Sequence, residues 1–129
     1  MTEATLISAH AALYDALNLM LIGDPVPIMA AWSKSVDATY AGPFGGCTTG
    51  GTAIAEEFAH VSTMKLGGRI EVTDVIMVEG LDMGYTVCTE HGIDHLIDGK
   101  RVNLTHRATN IFRREGDGWM LVHHHTDRS

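Results

Sequence analysis

The chain has 129 residues, 45% hydrophobic and 19% charged, enough for a globular domain that buries about two-thirds of its unfolded surface. Nine basic residues against sixteen acidic ones leave a formal charge of −7, with no basic stripe to neutralise phosphates, so nucleic acid is not expected as a partner. Cys47 and Cys88 lack CxxC spacing and are too few for a disulfide framework, which points to a reduced, cytoplasmic setting.

Leu6, Leu13, Leu17 and Met20 recur at helical spacing, with Ile7, Ala11, Tyr14 and Leu21 on an adjacent stripe. The first helix is therefore apolar over a wide arc, which calls for cover on two sides. Glu3, His10, Asp15 and Asn18 interrupt it and no basic segment precedes it. It reads as a helix of the mature protein, neither signal peptide nor membrane span. Gly23 ends it. Asp24 offers an N-cap oxygen and Pro25 suits the first helical position, starting a short second helix through Trp32. "VDATYA" (36–41) is a short strand, stopped by the glycine-rich "GPFGGCTTGG". A third helix begins near Thr52, carries Ile54, Phe58 and Val61 on one face, and ends at Gly67-Gly68.

From Arg69 the period changes. "RIEVTDVIMVE", "LDMGYTVCTEHG", "RVNLTHRATNIFRR" and "WMLVHHHT" are four β-rich runs, punctuated by Gly80, Asp98-Gly99 and Gly116-Asp117-Gly118. Helices followed by hairpin-linked strands predict an α+β fold in one domain over residues 1–129, with no linker, repeat or low-complexity tract. Strands of this length must bend to wrap one helical layer. A sheet so curled encloses a cone with an open mouth, a shape suited to a small ligand.

At this point the chain resembles the nuclear transport factor 2-like superfamily, in its SnoaL-like and ketosteroid-isomerase-like branch. The resemblance spans nearly the whole chain and rests on the opening helix through Trp32, "ATYAGPFGG", "YTVCTEHG" and the closing "FRREGDGWMLVHHHTD". It implies a cone-shaped, curved antiparallel sheet around N-terminal helices, and a homodimer formed through the sheet. It implies either acid–base chemistry of the isomerase, cyclase or dehydratase kind on a small apolar or carbonyl-containing molecule, or a non-catalytic ligand-binding or dimerisation module. No cofactor is called for.

The final strand tests these implications. Alternation puts Trp119, Leu121, His123, His125 and Asp127 on one face, and Met120, Val122, His124 and Thr126 on the other. The first set is expected to face the cone, with His123 and His125 on its wall; the plainer alternative leaves one histidine in the core and another at the dimer surface. The histidine run is too short for a tag. A metal centre would need a third ligand at fixed geometry, for which Glu90 and His91 are the candidates, and no metal site is assigned.

In the preceding strand Arg107, Thr109 and Ile111 share a face opposite His106, Ala108 and Asn110. The family pattern turns Arg107 and Thr109 inward, where a buried guanidinium needs a carboxylate, and Glu90 is the expected partner. That pair is either a structural ion pair or a device for orienting a substrate carbonyl. Ketosteroid isomerases carry their catalytic aspartate just before the proline after the first strand; here Gly42 precedes Pro43, so that base is missing. Thr109 stands where an Asp–Arg–Asp epoxide-hydrolase arrangement wants aspartate. His125 with Glu90 or Asp127 is the remaining acid–base pair, with Arg107 beside it. Tyr14 matches the family's oxyanion-donor tyrosine by location. Trp32, Tyr40, Phe44, Phe58 and Met64 are candidates for lining the cavity, and Cys47 sits in a glycine-rich rim without the lysine of a phosphate loop.

Overall fold

A computed structural model describes residues 5–129. Among these residues three helices, α1 (Leu6–Leu21), α2 (Val26–Ala31) and α3 (Gly51–Thr63), accompany six strands. The strands are β1 (Thr39–Ala41), β2 (Thr48–Thr49), β3 (Arg69–Glu79), β4 (Met83–Ile97), β5 (Lys100–Glu115) and β6 (Gly118–Arg128). The sheet order is β2-β1-β6-β5-β4-β3, antiparallel except for the parallel pair of β1 with β6. The expected α+β architecture is present: a curved, unclosed sheet with the helices against its concave side.

Local chemistry explains the element ends. Thr5 and Ser8 form a reciprocal capping box, each taking the other's backbone N–H, at 3.1 and 3.2 Å. The α1 stripe is narrower than expected: Tyr14 and Leu21 are buried, while Ile7 and Ala11 face solvent. The N-cap of α2 is Pro25, one residue later than expected and without a side-chain cap bond, Asp24 Oδ1 accepts from the Val26 N–H at 3.2 Å just outside it, and Trp32 leaves the helix as a bridge to Leu121. Asp98 and Gly99 both adopt positive φ, the requirement of a two-residue hairpin turn between β4 and β5. The strand expected over 36–41 keeps only its last three residues, and β2 was not anticipated.

Three register shifts bend the sheet. β3 bulges between Thr73 and Ile76, β4 between Gly92 and His95, and β6 at Val122, where Ile111 pairs His123 but Phe112 pairs Leu121. Leu13, Ile54, Phe58, Phe112 and Leu121 pack between helices and concave face; full burial of each contributes roughly 1.5–3 kcal/mol. Among the described residues no helix is long and apolar enough to cross a membrane.

Candidate functional site

A cavity of about 300 Å³ opens between the concave face, α1, α3 and the glycine-rich rim. Its floor is apolar, with Leu17, Phe58, Val61, Ile70 and Leu104, and Phe44 and Cys47 stand at the rim. Into this apolar space project Tyr40, Glu90, His95, His106 and His124.

Glu90 is buried at the wall of the cavity and meets α1 through Tyr14, whose hydroxyl donates to Glu90 Oε2 at 2.7 Å. Burial pushes the carboxyl up to about 7, with the Tyr14 hydrogen bond opposing the shift. The same phenol accepts from Asn110 Nδ2 at 3.1 Å, and Cys88 Sγ lies 3.3 Å away. Burial and the adjoining Glu90 and Cys88 push the Tyr14 phenol far upward, so it stays a donor. Asn110 is fully buried. It also donates to Thr86 Oγ1 at 3.1 Å, which reaches His10 Nδ1 at 3.0 Å, and its Oδ1 accepts from His124 Nδ1.

That last bond fixes the tautomer of His124. With the proton on Nδ1, the Nε2 lone pair stands 3.8 Å from Glu90 Oε2. Burial, then His123 and His125, depress His124 to about 3, so the ring is neutral across the physiological range. It stands beside Glu90 as a neutral ring beyond hydrogen-bond distance, and adds no positive charge that would hold the carboxyl ionised.

Tyr40 lies against this group, its ring stacked on His124 at 5.9 Å and 17° and packed on Phe58 at 4.7 Å. A Cβ on Gly42 would overlap the Tyr40 hydroxyl. The position where ketosteroid isomerases place their aspartate is thus a glycine whose space a phenol fills. Burial, then Glu57 and Glu90, push this phenol upward as well.

His95 and His106 occupy the remaining wall. Nδ1–H of His95 donates to the Gly67 carbonyl at 2.8 Å, leaving Nε2 as the acceptor. His106 is paired across strands with Glu90 and is buried, and its pKa is lowered by burial, then by Arg128 and His95. Sequence alternation alone would have put Asp94 beside Gly92; the β4 bulge brings His95 there instead. Ala108 and Phe112 on the face of His106 were the available hint that this side of β5 turns inward.

Several expected site residues lie elsewhere. His125 is exposed on the convex face, in a cross-strand row with Thr109, Val87 and Ile76. His123 sits in the next row with Ile111, Tyr85 and Val78, and its Nδ1 meets Thr39 Oγ1 at 2.7 Å. The bulge at Val122 is the cause: it reverses the alternation, so Trp119 and Leu121 face inward but the next inward residues are His124 and Thr126. Arg107 is likewise outside, forming an exposed bidentate pair with Asp127, both bonds at 2.8 Å, and not with Glu90. Trp32 is fully buried behind the cavity against Tyr40, and Met64 is half exposed at the end of α3, off the cavity wall. Tyr14 meets the cavity only through Glu90; Glu90, Tyr40, Phe44 and Phe58 do stand on its wall. Among the described residues no three His, Cys, Asp or Glu side chains are grouped to hold a metal.

No curated protein matches the chain. Solved structures do. A nuclear transport factor 2-like family protein from Streptomyces avermitilis, named as a candidate dehydratase, is 26% identical with a TM-score of 0.77, covering 94% of this chain and 91% of that one. A candidate calcium/calmodulin-dependent protein kinase type II association domain from Thiobacillus denitrificans is 22% identical with a TM-score of 0.76, covering 100% and 98%. A nuclear transport factor 2-like protein from Rhodospirillum rubrum is 21% identical with a TM-score of 0.77, covering 98% and 99%. The last two likenesses speak for the fold alone. The SnoaL-like domain family matches residues 11–126, and the chain belongs to that family, within the nuclear transport factor 2-like superfamily.

Proposed function

We propose that the cavity binds a small, largely apolar carbonyl compound and moves a proton on the carbon beside the carbonyl, with Glu90 as the base. The observation that carries this reading is a buried carboxyl at the wall of an apolar cavity, raised to about 7 by burial, while Glu57, which also lines the cavity, is exposed. A base is most effective when its pKa lies near the working pH, and enolisable carbon acids need one shielded from bulk water. Glu90 Oε2 is held by Tyr14, and Oε1 carries no bond to any described residue. Oε1 takes the α-proton, and the electron pair of the C–H bond passes to the carbonyl oxygen as an enolate. The Tyr40 hydroxyl, kept protonated by burial, donates to that oxygen. Glu90 then returns its proton to carbon, completing an isomerisation; where a β-hydroxyl is present, the enolate pair instead forms the C=C bond as the C–O bond breaks, and the departing oxygen takes the Glu90 proton and leaves as water. The dehydratase name carried by the Streptomyces relative accords with this class of chemistry.

The test is deuterium incorporation into cyclohexanone in heavy water, followed by NMR. The wild-type protein should accelerate exchange, and Glu90→Gln should reduce the acceleration about a hundredfold or more. Binding of the ketone with no accelerated exchange would make the domain a binder instead of an enzyme.

The same proposal includes a second copy of the chain on the convex face. Ile76, Val78, Met83 and Tyr85 are all substantially exposed there, and Val78, Met83 and Tyr85 line a shallow apolar depression with Ile111. The family resemblance supports a symmetric pair that covers this face.

A further inference from the structure

Glu90 and its network leave two cavity imidazoles without a role. His106 is 7% exposed, and no described residue hydrogen-bonds either of its ring nitrogens. Neither ring nitrogen is among the polar atoms closed off from both solvent and partners, so both open on the cavity and are free to bind something that enters it. His95 is also 7% exposed. Its Nδ1 proton is committed to Gly67, and its Nε2 has no partner among the described residues.

The backbone brings the two together. Glu90 pairs across strands with His106, and Gly92 pairs with Leu104, so these four share one patch of the concave face. After Gly92 the β4 bulge turns His95 onto the same patch, its ring edge lying where a Cβ on Gly92 would stand. The His95 ring is near enough to oppose protonation of His106. In their neutral forms they offer one N–H donor, on His106, and two acceptors, the free nitrogen of His106 and Nε2 of His95. A ketone, an ether or a carboxylate only accepts, and leaves the acceptor nitrogens unsatisfied. A hydroxyl both donates and accepts.

We infer that His95 and His106 form a hydroxyl-recognising subsite, in which a ligand hydroxyl accepts from the His106 N–H and donates to Nε2 of His95. The ligand class is thereby a small hydroxylated carbonyl compound, its hydroxyl lying near the carbon that faces Glu90, because His106 and Glu90 are direct cross-strand neighbours. The inference rests on the reading of this cavity as the ligand site and is independent of proton transfer at Glu90.

The probes are 4-hydroxycyclohexanone and its 4-methoxy analogue, alike in shape except that the ether cannot donate. Affinities are read by amide NMR titration, and the ring nitrogens of His95 and His106 by nitrogen-detected histidine spectra. The wild-type protein should favour the hydroxy ketone about tenfold, the worth of one buried hydrogen bond, with a shift at Nε2 of His95 that the methoxy compound does not produce. His106→Phe and His95→Phe should each bring the ratio close to one. Gly92→Ala, which displaces the His95 ring without removing it, should lower the ratio too, and covers the case in which a phenylalanine variant fails to fold. Equal affinities in the wild type, no binding of either ketone, or a preference that survives all three variants would overturn the inference. Hydroxyl preference retained in Glu90→Gln, or in a wild type that exchanges no α-deuterium, supports this subsite even where the proton-transfer reading falls.

Discussion

Tyr14 on α1 and Glu90 on β4 are joined by a 2.7 Å hydrogen bond, in which the phenol donates to the carboxyl. The bond ties helix to sheet inside the core and occupies one oxygen of the only carboxyl that is buried among the described residues. It lowers the Glu90 pKa, yet burial wins and the group ends near 7. Stability and chemistry at this point are consequently linked through one proton.

That link sets a pH dependence. A carboxyl raised from 4.5 to about 7 holds a proton in the folded chain that the unfolded chain has released. The stability it contributes is fully present below pH 4.5 and is lost as pH rises towards 7, a change on the order of 3 kcal/mol. His10 and His124, both depressed by burial, act with the opposite sign. Urea unfolding at pH 5 and pH 8 should therefore be compared between wild type and Glu90→Gln. The glutamine variant should gain stability relative to wild type on going to pH 8, and parallel curves would contradict the raised pKa.

Exchange activity should show the complementary profile. The base works deprotonated, so ketone exchange should rise with pH and level off above about 7. A Tyr40→Phe variant, which keeps the ring on His124 but lacks the donor, should slow exchange about a hundredfold at every pH. A rate that falls with rising pH would instead make Glu90 the acid.

Asn110 bridges His124, Tyr14 and Thr86 while fully buried. Asn110→Ala leaves three polar groups short of a partner and should lower stability by about 3 kcal/mol, read from the denaturation midpoint. Arg107 behaves otherwise. The Arg107–Asp127 pair is solvent-exposed, and Arg107→Ala should leave the denaturation midpoint nearly unchanged. A loss comparable to that of Asn110→Ala would place the guanidinium in the core after all.

The convex face carries its own prediction. Tyr85 is 41% exposed at the centre of the row formed with Val78 and Ile111. Tyr85→Lys should convert a dimer to a monomer in light scattering while leaving circular dichroism unchanged, since a lysine there meets water in the monomer and an apolar partner in the dimer. A wild-type chain that is monomeric at all concentrations would remove the second copy from the proposal.

Sequence alone determined the long elements, because their signals are local, while the two-residue β2 left no such signal. Helical spacing from Leu6 to Met20, the Asp98-Gly99 turn and the alternation of 69–79 each depend on a few neighbouring residues, and the structure has these elements in place. Membership of the SnoaL-like family was legible for the same reason, since its motifs are contiguous. Glu90 and Tyr40 were legible as site candidates, but not their partners. Which face of a strand turns inward is a property of register, and one inserted residue reverses it. The bulge at Val122 moved the site from His123 and His125 to His124, and the bulge after Gly92 brought in His95. Bulges form where a sheet must curve around its helices, so only the packed tertiary structure decided which histidines look into the cavity.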